Sequence, residues 1–139
     1  MFFFFHTGCN GYAMNIAASS GTFTSPNYPS NYGNHENCLW RITVPAGFAV
    51  SLTFNDFELE NSSNCRYDYV KVEESGSGSL IGSFCGTRTQ FAVTSSGRSL
   101  YVRFRSDNNV RRRGFNASFI AVNRPPPGKI FVAFLRWMI

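Results

Sequence analysis

The residues best suited to do chemistry lie in Leu59-Glu60-Asn61-Ser62-Ser63-Asn64-Cys65-Arg66-Tyr67-Asp68-Tyr69-Val70. Glu60 and Asp68 stand on either side of a cysteine, between two strand-like runs. A third carboxylate, Asp107, falls in the turn-like stretch Ser106-Asp107-Asn108-Asn109. Acidic side chains on loops, mixed with amide and hydroxyl oxygens, are the donor chemistry of a hard cation. Calcium takes about six to eight oxygens in irregular geometry, whereas zinc is served by imidazole and thiolate. The three acids gain weight because the chain is basic, with 13 Lys and Arg against 8 Asp and Glu. They are not part of a solvating coat.

Four cysteines, Cys9, Cys38, Cys65 and Cys85, form an even set with no Cys-x-x-Cys pair, and His6 and His35 are isolated. That argues against zinc and for two disulfides, hence an oxidising compartment. Four cysteines allow three pairings, and spacing does not choose among them. Two glycosylation sequons, Asn61-Ser62-Ser63 and Asn116-Ala117-Ser118, agree with secretion. All eight acids but only ten of the thirteen Lys and Arg lie between residues 9 and 122. Much of the net charge of +5 therefore belongs to the tail, which is poor support for nucleic-acid binding. Neither His-Glu-x-x-His nor Gly-x-Ser-x-Gly occurs, so the expectation is a non-enzyme.

The elements that must position these acids read as short strands. Cys38, Trp40, Ile42 and Val44 share one face, as do Val50, Leu52 and Phe54. Further strands are expected over residues 67–72, 80–84, 91–94, 100–105 and 115–121. Trp40 has core parity rather than the look of a ligand-stacking residue. Residues 9–20 read as a small, polar lead-in. Ser75-Gly76-Ser77-Gly78-Ser79 marks a hairpin loop and Ser95-Ser96-Gly97-Arg98 a tight turn. Many short strands split by Gly and Pro predict an all-β sandwich. Residues 1–8 are expected to be an appendage whose Phe run is too short for a signal h-region. Residues 123–139, with Arg124-Pro125-Pro126-Pro127-Gly128, are expected to be a Pro-rich linker and apolar tail outside a domain of residues 9–122.

Taken together, Cys9-Asn10-Gly11, Ser25-Pro26-Asn27-Tyr28-Pro29, Cys38-Leu39-Trp40, Cys65-Arg66-Tyr67-Asp68-Tyr69-Val70, Phe84-Cys85-Gly86, Phe104-Arg105-Ser106-Asp107 and Gly114-Phe115 resemble a CUB domain, over residues 9 to about 122. The resemblance implies a jelly-roll-like sandwich of two antiparallel sheets, the pairings Cys9–Cys38 and Cys65–Cys85, and an extracellular or secreted setting, usually within a larger protein. One branch of that family binds calcium at one end of the sandwich. Carried onto this sequence, its pattern implies Glu60, Asp68 and Asp107 as metal ligands. The backbone carbonyl of Asn109, with that of Val110, would complete the shell, and Tyr32 would support the site and line a partner pocket. It further implies a protein ligand presenting a Lys or Arg near the metal-bound acids. The chain departs from the family pattern at Gly33, at Glu73-Glu74-Ser75 and at Gln90, all loop positions that bear on partner choice rather than fold.

Two other functions compete. The chain would be the recognition part of a secreted protease, since CUB domains accompany tolloid-type and complement-type enzymes. Or it would bind a sulfated glycan or another polyanion through Arg111, Arg112 and Arg113. A glycan on Asn61 would crowd the metal end.

Overall fold

The computed structural model describes residue 9 and residues 11–124. The expected appendage 1–8 and nearly all of the expected tail lie outside the described residues. The described residues form ten strands: β1 (Ala13–Ala17), β2 (Ser20–Thr24), β3 (Asn37–Thr43), β4 (Phe48–Glu58), β5 (Tyr69–Glu74), β6 (Leu80–Phe84), β7 (Thr87–Arg88), β8 (Phe91–Thr94), β9 (Ser99–Arg105) and β10 (Gly114–Asn123). One sheet has the order β1-β3-β9-β5-β6 and the other β2-β10-β4-β7, with β8 also pairing β4.

Alternation explains the pairing of the two sheets. Cys38, Trp40 and Ile42 of β3, Val70 and Val72 of β5, and Leu100, Val102 and Phe104 of β9 are all buried. They face Val50, Leu52, Phe54 and Phe57 of β4 and Phe115, Ala117 and Phe119 of β10. Because side chains alternate with a period of two, a slip of one residue in any of these strands would turn its apolar set to solvent. Phe115 is the hub: its ring meets Phe104, Trp40 and Phe54 edge-on at 5.6, 5.7 and 5.5 Å. Such edge-to-face pairs add about 0.5–1.5 kcal/mol each beyond the area they bury.

Several sequence expectations are refined. The sandwich is antiparallel except at one edge, where β1 runs parallel to β3 with Met14 opposite Trp40 and Ile16 opposite Ile42. The polar lead-in thus contains a strand, and Met14 and Ile16 pack half-buried against the core. β4 continues to Glu58, four residues past the expected end. β5 runs from Tyr69 to Glu74, so Tyr67 and Asp68 stay in the preceding loop while Glu73 and Glu74, expected in a loop, pair with β9. β10 runs through Asn123, and Arg124 donates to the Phe48 carbonyl at 3.3 Å. The disulfides are Cys9–Cys38 and Cys65–Cys85. Gly114 opens β10 at φ +87°, and a Cβ there would collide with Ser25 Oγ. Only glycine satisfies both demands.

Candidate metal centre

Three loops meet at one end of the sandwich. The β2–β3 loop brings Tyr32 and Glu36, the β4–β5 loop Glu60 and Asp68, and the β9–β10 loop Asp107. Backbone hydrogen bonds knit them together. The His35 N–H donates to the Asp107 carbonyl at 2.9 Å and the Tyr32 N–H to the Arg112 carbonyl at 3.0 Å, while the Leu59 N–H ties the start of the β4–β5 loop to the Gly86 carbonyl of the β6–β7 turn at 2.9 Å. Ser106 Oγ donates to the Gly33 carbonyl at 2.7 Å and accepts the Glu36 N–H at 2.9 Å. The Cys65–Cys85 bond closes the β4–β5 loop against the end of β6.

The structure brings Glu60, Asp68 and Asp107 together, with a carboxylate oxygen of each within 4.8 Å of the others. Asp68 is fully buried and well supported: the Tyr32 hydroxyl donates to its Oδ2 and the Asp107 N–H to its Oδ1 at 2.9 Å. Tyr32 also accepts the Glu60 N–H at 3.2 Å. Glu60 is different, for its Oε1 is buried with no hydrogen-bond partner among the described residues. Burial, then the charges of Asp107 and Asp68, raise the Glu60 pKa, opposed by Arg112. Burial also raises the Asp68 pKa, opposed by its bonds from Tyr32 and Asp107. Burial first, and the bond to Asp68 second, push the Tyr32 hydroxyl far above its ordinary value, so it stays a proton donor.

Carboxylates this close repel by about 4 kcal/mol per pair at ~4 Å under an effective dielectric near 20. Three clustered carboxylates, one of them with a buried oxygen that finds no partner among the described residues, are the arrangement that a hard divalent cation relieves. The residues present therefore fit calcium chemistry. Asn109 is exposed, and its N–H donates to Asp107 Oδ1 at 3.1 Å. Tyr32 is 0 % exposed, with its ring edge-on to Phe104 at 5.0 Å. It has no free face to offer as a pocket wall; its contribution is to hold Asp68 and the Glu60 backbone.

The three arginines do not form one patch. Arg113 makes a two-pronged ion pair with Asp56 at 2.7 and 2.6 Å and reaches Glu58 at 3.2 Å. Arg111 and Arg112 remain exposed, and Arg112 Nη1 donates to the Arg111 carbonyl at 3.0 Å. Asn61 is exposed beside Gly86, whereas Asn116 is half-buried on β10, opposite Thr24 and Asp56. A second group of candidate donors, Cys9, Glu36 and Cys38, is spoken for: the cysteines are bonded to each other, and Glu36 accepts the Cys9 and Gly33 N–H groups at 3.0 and 3.2 Å.

Sequence reasoning passed over Glu36, the Asp56–Arg113 pair, and a depression of about 460 Å³ beside Asp107 lined by His35, Arg66, Tyr67, Tyr69 and Arg105. The outward parity of Tyr69 and Arg105 was readable. Their adjacency depends on the β5–β9 register, which places Tyr69 directly opposite Arg105.

This is a disulfide-braced β-sandwich with an acidic cluster at one end. The family model for the CUB domain matches residues 9–119, and the chain belongs to that family. It is 43% identical over 113 residues to mouse tolloid-like protein 2, a match covering 80% of this chain and 11% of that protein. Dog cubilin is 39% identical over 115 residues, covering 81% of this chain and 3% of cubilin. The chain thus spans a small part of these relatives. Among solved structures, the full extracellular region of zebrafish Gpr126/Adgrg6 superposes with a TM-score of 0.74 at 39% identity, covering 84% of this chain and 15% of that one. The MASP-1 CUB2 domain bound to Ca2+ superposes with a TM-score of 0.70 at 33% identity, covering 77% of this chain and 96% of that one. Among the described residues no helix is long and apolar enough to cross a membrane.

Proposed function

We propose that this CUB domain is a calcium-dependent protein-interaction module of a larger secreted or cell-surface protein. The observation that carries the reading is the convergence of Glu60, Asp68 and Asp107, with a carboxylate oxygen of each within 4.8 Å of the others and Glu60 Oε1 buried without a partner among the described residues. Glu60, Asp68 and Asp107 would hold the ion, with the Asn109 carbonyl as a further donor. When bound, calcium supplies charge that cancels the mutual repulsion of the acids and ties the three loops together. Asp68 keeps its orientation through Tyr32 and the Asp107 N–H. A carboxylate oxygen at the rim of the cluster accepts a charged hydrogen bond from a partner's Lys or Arg. The likeness to a calcium-bound domain at 33% identity supports the metal half of this reading.

The polyanion alternative is weakened by the engagement of Arg113 with Asp56 and Glu58. The exposure of Asn61 is compatible with a glycan there, which would restrict approach from that side.

Calorimetric titration of the chain with calcium tests the proposal. Binding to the wild type and loss of binding in Asp107→Ala, with the fold retained by circular dichroism, is the expected result. Absence of a calcium heat and of any calcium-induced rise in Tm would end it.

A further inference from the structure

The depression beside the acids has a chemistry of its own. Its rim carries Arg66 and Arg105, the rings of Tyr67 and Tyr69, and His35, and it shares Asp107 with the acidic cluster. Arg66 is pre-positioned: Nη2 donates to the Tyr67 hydroxyl at 2.9 Å, and the guanidinium lies 4.8 Å from the Tyr67 ring centroid. Arg105 is not engaged in this way. It is exposed at the end of β9 and makes no side-chain hydrogen bond, ion pair or ring contact with the described residues. Its neighbours on the outer face of that sheet are occupied: Arg103 bonds Glu73 at 2.7 Å, Lys71 sits 4.7 Å from the Tyr69 centroid, and Arg41 lies against Tyr101. A guanidinium unengaged by the described residues, a second one stacked on a phenol ring, and two phenols around one small depression offer donors suited to an oxyanion.

We propose that this depression binds a carboxylate of the partner protein, so that the domain reads an acidic side chain set close in sequence to the Lys or Arg engaged by the acids. The proposal rests on the preceding reading for its basic half only; the acidic half stands on Arg66 and Arg105. The size of the depression and the sign of its surroundings choose the ligand class. A sulfated chain needs an extended run of cations, yet here Asp107 bounds the depression on the side of the cluster. Positive and negative sites that abut through one residue select a ligand carrying both signs. A lone Lys or Arg approaching the cluster would meet uncompensated repulsion from Arg66 and Arg105, and an adjoining Glu or Asp removes it.

The test uses the isotopically labelled chain in saturating calcium, with NMR titration by blocked dipeptides. N-acetyl-Glu-Lys-amide and N-acetyl-Lys-Glu-amide are compared with their Gln counterparts, and N-acetyl-Glu-amide serves as an acid-only probe. The expected result is that one Glu-Lys order binds about fivefold tighter than its Gln counterpart, the scale of one partly exposed charged hydrogen bond. The acid-only probe should shift the Arg66, Tyr67, Tyr69 and Arg105 signals, and it should do so in chelator as well as in calcium. Arg105→Gln should remove the Glu preference while leaving calcium binding intact. Equal affinities for Glu and Gln peptides, or a preference that survives Arg105→Gln, overturns the proposal. So does tighter binding of a heparin-derived tetrasaccharide with shifts spread over Arg41, Lys71 and Arg103, which would make the whole sheet face the site. Loss of calcium binding with the acid-only shifts retained would reject the metal reading and leave this one standing.

Discussion

Tyr32 and Asp68 are both fully buried, and the tyrosine hydroxyl donates to the carboxylate while accepting the Glu60 N–H. One side chain from the β2–β3 loop thus fixes an acid and the backbone of the β4–β5 loop. Tyr32→Phe keeps the ring packing against Phe104 but removes both bonds. Leaving buried polar groups unpaired costs about 1–3 kcal/mol. Loss of a partner behind a metal-binding side chain also weakens affinity about 10-fold or more. Urea denaturation in chelator should show the first loss and calcium titration the second. A variant with wild-type calcium affinity would mean that Tyr32 does not organise the acids.

Glu60→Gln should change stability in opposite directions under two conditions. In chelator, the substitution removes a buried charge that Asp68 and Asp107 repel, so Tm should hold or rise. In calcium at ~100 times its Kd, the wild type should gain about 2.7 kcal/mol from ligand binding, and the variant much less. Scanning calorimetry with and without calcium gives both numbers. Equal calcium responses in the two proteins would show that Glu60 is not a ligand.

The sandwich was legible where one face of a strand is wholly buried. Cys38, Trp40 and Ile42, or Leu100, Val102 and Phe104, alternate cleanly because burial demands it. β1 escaped notice because its apolar residues, Met14 and Ile16, are only half-buried at a sheet edge, and its parallel pairing with β3 is a tertiary choice. The acids were legible by type and spacing. Their convergence needed contacts across 36 and 39 residues, Tyr32 to Asp68 and Asp68 to Asp107. The ion pair of Arg113 was hidden for the same reason. Nothing in the sequence near Arg113 announces Asp56, 57 residues away.

The two disulfides should separate stability from function. Cys65–Cys85 closes a span of 20 residues and Cys9–Cys38 one of 29. The chain-entropy scale gives each about 3 kcal/mol, so paired Cys→Ser replacements should destabilise the protein by similar amounts. Only the Cys65/Cys85 pair anchors the loop that carries Glu60 and Asp68. Its removal should weaken calcium binding several-fold, measured where both variants are still folded, while removal of Cys9 and Cys38 should leave affinity nearly unchanged. Equal losses of affinity would place the organising constraint elsewhere.

The Asp56–Arg113 pair should shape acid stability independently of the metal site. The two-pronged bond from Arg113, then the Tyr28 hydroxyl at 2.6 Å, lower the Asp56 pKa from 3.8 to about 2. A carboxyl whose folded pKa is depressed adds stability above its ordinary pKa, and that stability is lost as pH falls through the folded value. The shift corresponds to about 2.5 kcal/mol at most, and exposure of the pair to solvent trims this to about 1 kcal/mol. Arg113→Gln should therefore be less stable than wild type by about 1 kcal/mol near pH 6, with the gap closing between about pH 4 and pH 2. Urea denaturation in chelator across that range measures the gap, and taking it between the two proteins cancels the titration of the acid cluster that both share. A gap that stays constant down to pH 2 would mean that Arg113 stabilises the fold by packing against its neighbours and not through Asp56.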